Sequence, residues 1–246
     1  MNYPIQYCGW QNTMRIAVFS DIHGNQYSLK KFCEQVKTDH CDLIVFLGDV
    51  FGYYYGQHEC LEMLSSMDGL VCLLGNHDQN FLDLLKFPEL EADLVAKYGS
   101  SYSLKFRALI SKSDINFLNT FKTRYTLFCD DLKLMFCHGS PSDNLNGRLY
   151  PDTDLSCELA DCRYDFIFIG HTHHKMIKTF NKTVVANPGS IGQQRDGKGC
   201  SYLIFDSKDR GIEFKSVTFD IPALLNDIES NDPEQQGFKT VLFRKA

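Results

Sequence analysis

The sequence lacks the features that would assign it to a membrane, to the secretory pathway or to a polyanion-binding class. No apolar run approaches the ~18 residues that a membrane-spanning helix needs. The N-terminal stretch MNYPIQYCGWQNT lacks the basic start and apolar segment of a secretory signal. Excess positive charge is also missing, since the net charge is −6 at pH 7, whereas proteins that hold nucleic acid by its phosphates are usually basic. We therefore expect a cytoplasmic protein that binds no membrane and forms no stable complex with nucleic acid.

Paired cysteine motifs are also missing, although the chain has ten cysteines. None forms a C-x-x-C pair, and Cys157 and Cys162 come closest to one. Cys72 and Cys137 lie within apolar runs, which indicates buried thiols. A chain of 246 residues, 43% of them hydrophobic, can bury a core without disulfides, so the cysteines favour a reducing cytosol.

Apolar runs of strand length alternate with amphipathic helical patterns in the first third of the chain. Residues 14–20, 43–47 and 70–74 predict buried strands. Residues 27–38 and 57–67, between these runs, have apolar side chains at helical spacing. This alternation favours βαβ units and a sheet that is covered on both faces.

The rest of the chain predicts helices first and strands afterwards. Residues 79–121 have a mostly helical pattern, and the strand-like runs that follow are 124–129, 132–137, 166–169, 176–180, 183–185, 201–205 and 212–219. A short helix is predicted at 222–230, followed by a polar tail of uncertain order at 231–246. We expect one domain over 1–246, with a polar lead-in at 1–13 and a core at about 14–219.

Five short polar motifs each directly follow an apolar run. They are Asp21-x-His23, Gly48-Asp49, Gly75-Asn76-His77-Asp78, His138-Gly139 and Gly170-His171-Thr172-His173. Each motif alone is compatible with a turn or a helix cap. Five of the eight histidines fall in these motifs, however, and sites in open α/β sheets lie beyond the carboxyl ends of the strands. We therefore predict that the five motifs converge on one site.

The motifs supply seven candidate metal ligands of mixed oxygen and nitrogen type. These are two carboxylates, one amide and four imidazoles, from Asp21, Asp49, Asn76, His23, His138, His171 and His173. Such a set suits first-row metals, with manganese first and iron, cobalt, nickel or zinc as alternatives. Seven ligands are too many for one catalytic ion, and they suit two divalent ions ~3.5–4 Å apart that share a carboxylate. The positive charge of such a centre would attract a phosphate anion.

The order of these motifs resembles the calcineurin-like metallophosphoesterase superfamily. The segments FSDIHGN, LGDVFGYYYGQHECLEML, LLGNHD, CHGSP, IFIGHTH and VANPGSIGQQRDG are similar to its small, compact phosphodiesterase branch. The resemblance implies an α/β fold, specifically a four-layer αββα sandwich. It also implies that one ion takes Asp21, His23, Asp49 and His173, and that the other takes Asp49, Asn76, His138 and His171. His77 would act as an acid or contact the phosphate.

The mechanism that we expect is the hydrolysis of a small phosphodiester or nucleotide by a metal-bridging hydroxide. Three alternatives stay open, namely a dinucleotide polyphosphate hydrolase, a nuclease and a non-catalytic scaffold. The net negative charge of the chain counts against a nuclease, which must bind a polyanion. The retention of every ligand counts against a scaffold.

The sequence departs from the protein phosphatases of the superfamily after Asp49. Those enzymes carry a D-R-G stretch there, which supplies a phosphate-binding arginine and the aspartate that orients the catalytic histidine. Here the chain reads Val50-Phe51-Gly52, so phosphodiesters are favoured over phosphoproteins and the partner of His77 is left open.

Two further groups allow two interpretations each. Arg195 is a candidate phosphate contact, or it pairs with Asp196 in a turn. Residues 53–55 are three consecutive tyrosines. They either stack on a nucleotide base of the substrate or pack against other side chains of their own loop. The segment NPGS at 187–190 is expected to shape a turn near the site. The sequence does not indicate the oligomeric state.

Overall fold

Two β-sheets lie face to face in the computed structural model, which describes residues 6–7, 13–160 and 162–245. The strands are β1 (Gln6–Tyr7), β2 (Arg15–Phe19), β3 (Leu43–Phe46), β4 (Leu70–Cys72), β5 (Arg124–Cys129), β6 (Leu132–Cys137), β7 (Phe166–Phe168), β8 (Lys175–Phe180), β9 (Thr183–Pro188), β10 (Ser201–Asp206) and β11 (Gly211–Ser216). The α-helices are α1 (Gln26–Val36), α2 (Gln57–Ser65), α3 (Asn76–Lys86), α4 (Glu91–Tyr98), α5 (Leu104–Arg107), α6 (Lys112–Leu118), α7 (Ser156–Leu159), α8 (Ile221–Asn231) and α9 (Gln236–Thr240). Short 3₁₀ turns cover Pro88–Leu90, Ser100–Tyr102 and Val241–Phe243.

Each sheet contains a run of parallel strands. The six-stranded sheet has the order β1-β5-β6-β7-β9-β8, and the five-stranded sheet has the order β11-β10-β2-β3-β4. The strands β2, β3 and β4 are mutually parallel, as are β6, β7 and β9. Because the carboxyl ends of parallel strands lie along one edge of a sheet, the segments that follow these strands are placed close together.

The strand β2 is apolar on both of its faces because both faces are covered. Ile16 and Val18 point into the core between the two sheets, where they join Phe136 and Phe168 of the opposite sheet. Its other face, which includes Phe19, packs on α1 and α2. Successive side chains of a strand point in opposite directions, so burial on both sides produces the continuous apolar run seen in the sequence.

The outer layer over the six-stranded sheet is thin. The short helix α7 and the loop before it place Leu149, Leu155 and Leu159 against Met135 and Ile167 of that sheet. The opposite outer layer is built from longer helices, including α1, α2 and α3. The predicted sandwich of two sheets flanked by helices is confirmed, with unequal outer layers.

Most predicted elements are present, with shifted ends. The hairpin of β5 and β6 has the predicted bounds and is antiparallel. The region 79–121 is broken into short helices by the proline at 88 and by Gly99, whose φ is +86°. Within the lead-in 1–13, residues 6–7 form a strand parallel to β5, while most of its other residues lie outside the described ranges. No helix of the described ranges is long and apolar enough to cross a membrane.

The tail, whose order the sequence left open, is folded over much of the part that the structure describes. Residues 236–243 form α9 and a 3₁₀ turn, and Phe238 and Val241 are buried. The ring of Phe238 lies against those of Tyr53 and Tyr54, with centroids 5.6 Å and 6.1 Å apart. Two apolar residues at a spacing of three are too few to give a periodic pattern, so the sequence did not indicate this contact.

Truncation of Phe136 tests the core between the sheets. This side chain is fully buried and its ring stacks on that of Phe168 at 4.9 Å. We expect Phe136→Ala to lower the free energy of unfolding by about 3–5 kcal/mol, since it removes a buried aromatic ring and leaves a cavity. The matched control is Phe87→Ala, because Phe87 is 51% exposed, and we expect a change within about 0.5 kcal/mol. Urea unfolding of both variants measures the difference, and equal losses would contradict this account of the core.

Candidate metal centre

The segments after the parallel strands bring all seven predicted ligands to one edge of the two sheets. Asp21 follows β2, Asp49 follows β3, and Asn76 opens α3 after β4. From the other sheet, His138 follows β6, while His171 and His173 follow β7. All seven side chains are buried, including that of His23. The predicted convergence of the five motifs is therefore present in the fold.

The backbone at this edge adopts an uncommon conformation. Five of the seven ligands have positive φ, with values of 52° to 69°, namely Asp21, His23, Asp49, His171 and His173. Aspartate and histidine enter this left-handed region more often than most residues, but it still costs conformational energy. Such strain is retained where the surrounding structure must aim a side chain at a site.

The first cluster consists of Asp21, His23 and His173. The Nε2 atoms of the two histidines are 3.0 Å apart. Asp21 Oδ1 lies 3.2 Å from His173 Nε2 and 3.8 Å from His23 Nε2. Two atoms bound to one ion at about 2.1 Å lie roughly 3.0–3.4 Å apart, so these three atoms have close to the spacing of ligands around a shared cation.

The second cluster consists of His138, His171 and Asn76. His138 Nε2 lies 3.2 Å from His171 Nδ1 and 3.1 Å from Asn76 Oδ1. These distances again match ligand atoms that share one ion. Two groups of side chains that could each hold a metal ion are thus present.

Asp49 belongs to both clusters. Its Oδ2 lies 3.7 Å from His23 Nε2 in the first cluster and 3.3 Å from His138 Nε2 in the second. Its other oxygen accepts a hydrogen bond of 2.8 Å from the backbone N–H of His77. A single carboxylate oxygen that faces both clusters could bridge two ions.

Three of the imidazoles are oriented by backbone carbonyl groups. His23 Nδ1 donates to Phe51 O at 2.7 Å, His138 Nδ1 donates to Leu47 O at 3.1 Å, and His173 Nδ1 donates to the carbonyl of residue 193 at 2.5 Å. With the proton held on Nδ1, each Nε2 offers a lone pair to a metal. These carbonyl partners could not be predicted from the sequence, since any residue has a backbone oxygen.

Two buried carboxylate oxygens favour the binding of cations at the two clusters. Asp21 Oδ1 and Asp49 Oδ2 have no hydrogen-bond partner within the described ranges. An unpaired charged oxygen is costly in the interior, and a cation at each cluster would remove that cost. Burial alone would lower the pKa of His138, but the Asp49 carboxylate overrides it and raises this pKa to about 9. The aspartates thus attract positive charge, and the donor set fits two divalent ions.

Asp78 and Gly75 hold the loops after β3 and β4 together. The Asp78 carboxylate accepts hydrogen bonds from the backbone N–H groups of Asp49, Val50, Phe51 and Gly75 at 2.8–3.2 Å. A Cβ atom on Gly75 would lie 2.0 Å from Asp49 Oδ1, so only glycine allows this approach. Asp78 therefore fixes the loop that carries Asp49, and it is not the partner of His77.

The NPGS segment shapes the site as predicted. Asn187 Nδ2 donates to Gly170 O at 2.7 Å, just before the two ligands of the β7 loop. Ser190 Oγ donates to Asp21 O at 2.7 Å and accepts from two backbone N–H groups of its own turn. The two side chains tie the ligand loops of both sheets to one turn.

His77 lies beside both clusters and contacts Tyr102. One of its ring nitrogens lies within 4.8 Å of ligand atoms of His23 and Asp49. Its Nδ1 is 3.0 Å from Tyr102 Oη, and the tyrosine hydroxyl donates to His77 O at 3.1 Å. Burial lowers the pKa of His77 to about 4, although the Asp49 carboxylate opposes this shift. The partner that the sequence left open is thus a tyrosine, which no motif marked.

Arg195 faces the site rather than its neighbour Asp196. Its Nη2 donates to Tyr53 Oη at 3.0 Å and to Gln193 Oε1 at 2.9 Å. The ion pairs of the described ranges include none between Arg195 and Asp196, whose carboxylate instead accepts from Lys175 N at 3.0 Å. The alternative of a turn salt bridge was therefore wrong.

The three consecutive tyrosines differ in their surroundings. Tyr54 and Tyr55 are buried and pack with Phe106 and Phe238, so packing is the correct interpretation for both. Only Tyr53 is partly exposed, and its ring lies 4.8 Å from that of His23.

Comparison with known sequences identifies the family. The calcineurin-like phosphoesterase superfamily domain matches residues 14–210. The chain belongs to the calcineurin-like phosphoesterase superfamily. This superfamily consists of metal-dependent hydrolytic phosphoesterases, and the histidine and aspartate clusters described above could hold metal ions.

Several relatives resemble this member of the superfamily over most of its length. An uncharacterized protein of Methanocaldococcus jannaschii is 31% identical, with 93% of this chain and 98% of that protein covered. A phosphodiesterase of the same organism is 20% identical, with 77% and 87% covered. A crystal structure of a metallophosphoesterase from Sphaerobacter thermophilus has a TM-score of 0.74 at 23% identity, with 96% and 100% covered.

Isosteric substitution of the two aspartates tests the bridge. Asp49→Asn weakens both clusters, because Asp49 Oδ2 faces both, whereas Asp21→Asn weakens one. After dialysis against limiting manganese, we expect Asp49→Asn to hold fewer than one ion per chain and Asp21→Asn to hold about one. Elemental analysis of the purified proteins measures the ratio. The loss of one ion in each variant would show that Asp49 serves a single site.

Proposed function

We propose that this protein is a dinuclear-metal phosphodiesterase, with Asp21, His23, Asp49 and His173 around one ion and Asp49, Asn76, His138 and His171 around the other. The observation that carries the proposal is the position of Asp49 Oδ2 between two ligand clusters. When bound, two divalent ions at this place would lower the pKa of water and neutralise charge on a phosphoryl group.

The chain's own groups supply the rest of an anion site. The N-terminus of α3 carries Asn76 and His77, and the positive end of a helix dipole favours a bound anion there. Burial lowers the pKa of His77 and of His173, and the charge of the Arg195 guanidinium lowers both further. Its Tyr53 and Gln193 partners hold it at the rim of the site. A phosphate anion on the two clusters would therefore lie beside His77 and within reach of Arg195.

The substrate that we propose is a small phosphodiester, including nucleotide diesters. The arginine that protein phosphatases carry after Asp49 is replaced by Val50-Phe51-Gly52, and Gly52 adjoins the His77 ring. The partly exposed ring of Tyr53, which lies under the Arg195 guanidinium at 5.5 Å, offers an aromatic surface for a base. Manganese is the ion that we propose, because mixed carboxylate, amide and imidazole ligands suit it.

Removal and return of the metal test this proposal directly. We expect hydrolysis of bis(p-nitrophenyl) phosphate to be lost on chelation and to return with Mn²⁺, because all catalysis depends on the two clusters. Asp49→Asn is the control for contaminating phosphatase, and it should stay inactive with added metal. We also expect this diester to be cleaved faster than a phosphopeptide. Full turnover without metal, or a higher phosphopeptide rate, would reject the proposed function, and a higher rate on diadenosine tetraphosphate would identify the dinucleotide polyphosphate class.

The leaving group distinguishes two roles of His77. If His77, as an imidazolium, delivers a proton to the leaving oxygen, His77→Ala should lose ~10²–10⁴-fold on alkyl diesters and far less on nitrophenyl diesters, whose leaving group departs without a proton. If it only contacts the phosphoryl oxygens, the two losses should be equal. Measurement of bound metal in the same variant completes the test, since the loss of an ion would make His77 a ligand.

A further inference from the structure

His77 lies in an aromatic enclosure built from segments that are distant in sequence. Tyr102 comes from the 3₁₀ turn after α4, and Tyr98 comes from the end of α4 itself, with its ring 4.4 Å from that of His77. Tyr53 lies on a third side, with its ring centroid 5.2 Å from that of His77. Tyr102 is fully buried, and its hydroxyl contacts Nδ1 of the imidazole at 3.0 Å.

The hydroxyl of Tyr102 makes two hydrogen bonds with the same residue. It donates its one proton to His77 O at 3.1 Å, so the 3.0 Å contact with Nδ1 requires His77 to be the donor. Burial raises the pKa of Tyr102 well above its ordinary value, so the hydroxyl stays protonated. With Nδ1 engaged in this way, Nε2 is the ring nitrogen left for a substrate.

The position of the ring also depends on Gly52. A Cβ atom at this residue would lie 2.4 Å from His77 Nδ1, and Gly52 itself has a φ of +89°. Any side chain here would push the ring away from Tyr102 or break the loop. Gly52 thus leaves space for the imidazole at the place where Tyr102 provides a partner for Nδ1.

We propose that Tyr102 is the positioning residue of His77: its hydroxyl accepts from Nδ1–H and turns Nε2 toward the substrate phosphoryl group, where Nε2 carries the second proton when His77 is an imidazolium. This inference rests on the proposed function for its kinetic consequence, but the tautomer is a property of the chain itself. The residue acts through His77 and is expected neither to bind metal nor to contact the substrate.

The tautomer can be read in metal-free protein labelled with ¹⁵N-histidine. The ring nitrogen shifts of His77, assigned by their loss in His77→Ala, should show the proton on Nδ1 in the unsubstituted chain. Tyr102→Phe should give a mixture of tautomers or the opposite one, because phenylalanine offers no acceptor. A proton on Nε2 in the unsubstituted chain would overturn the proposal, whatever the activity of the protein and whether or not the variant folds.

Kinetics of the metal-loaded enzyme provide the second readout. We expect Tyr102→Phe to lower kcat on alkyl diesters by about 10- to 100-fold, with KM and bound metal unchanged, as for the loss of a group that orients a functional histidine. The matched control is Tyr202→Phe, which removes a buried hydroxyl that donates to Asp39 Oδ2 at 2.6 Å, away from the site. This control should retain full kcat.

The outcomes separate the two proposals. Equal losses of kcat in Tyr102→Phe and Tyr202→Phe, or an unchanged kcat in Tyr102→Phe, would show that the tyrosine has only a structural role. Inactivity of the unsubstituted protein on every diester would refute the proposed function, and the tautomer measurement would still decide whether Tyr102 positions His77.

Discussion

A buried carboxylate oxygen that is kept free of hydrogen bonds is the constraint on which the centre depends. Asp49 Oδ2 is enclosed by protein, yet no donor within the described ranges satisfies it. A buried carboxylate without a compensating cation is destabilising by several kcal/mol in general, and the nearest group that could compensate Asp49 is His138, whose Nε2 lies 3.3 Å from this oxygen. The loop around it is accordingly fixed from several sides, by the Asp78 carboxylate, by the N–H of His77 and by the close approach of Gly75.

The fold supports this arrangement because two sheets contribute parallel strands to the same edge. The core between the sheets fixes their separation through aromatic rings that meet across it, such as Phe168 of one sheet and Phe205 of the other, with centroids 5.4 Å apart. Asp21 and Asp49 come from one sheet, while His138 and His171 come from the other, so neither sheet alone could build the two clusters. The strained backbone at the ligands is held by hydrogen bonds that cross between loops, for example from Ser190 to Asp21 O.

The parts of the molecule that could be predicted are those that produce a local pattern of residues in the sequence. Buried parallel strands are continuous apolar runs, and the predicted ligands directly follow them, so a covered sheet and the convergence of the motifs could be anticipated. The sandwich of two sheets and the division of the ligands into two clusters were implied only by the resemblance to the superfamily. Contacts between distant segments leave no such pattern. Such contacts involve backbone atoms or single side chains. Examples are the backbone N–H groups that donate to Asp78, the carbonyl partners of the histidines, and the packing of Phe238 on Tyr53. Tyr102 could not be predicted for the same reason, because no motif in the neighbouring sequence indicates a contact with His77.

The neutral partner of His77 has a consequence for the charge of the whole centre. A carboxylate beside His77 would add a negative charge close to the place where an anionic phosphoryl group is proposed to bind. Tyr102 adds none, and the nearby Asp78 is compensated by four backbone N–H donors. The negative charge that faces the proposed ions is therefore confined to Asp21 and Asp49, while Arg195 contributes positive charge at the rim. With two divalent ions bound, the site would keep a net positive charge, and electrostatic attraction would then favour a phosphodiester anion even though the chain as a whole is acidic.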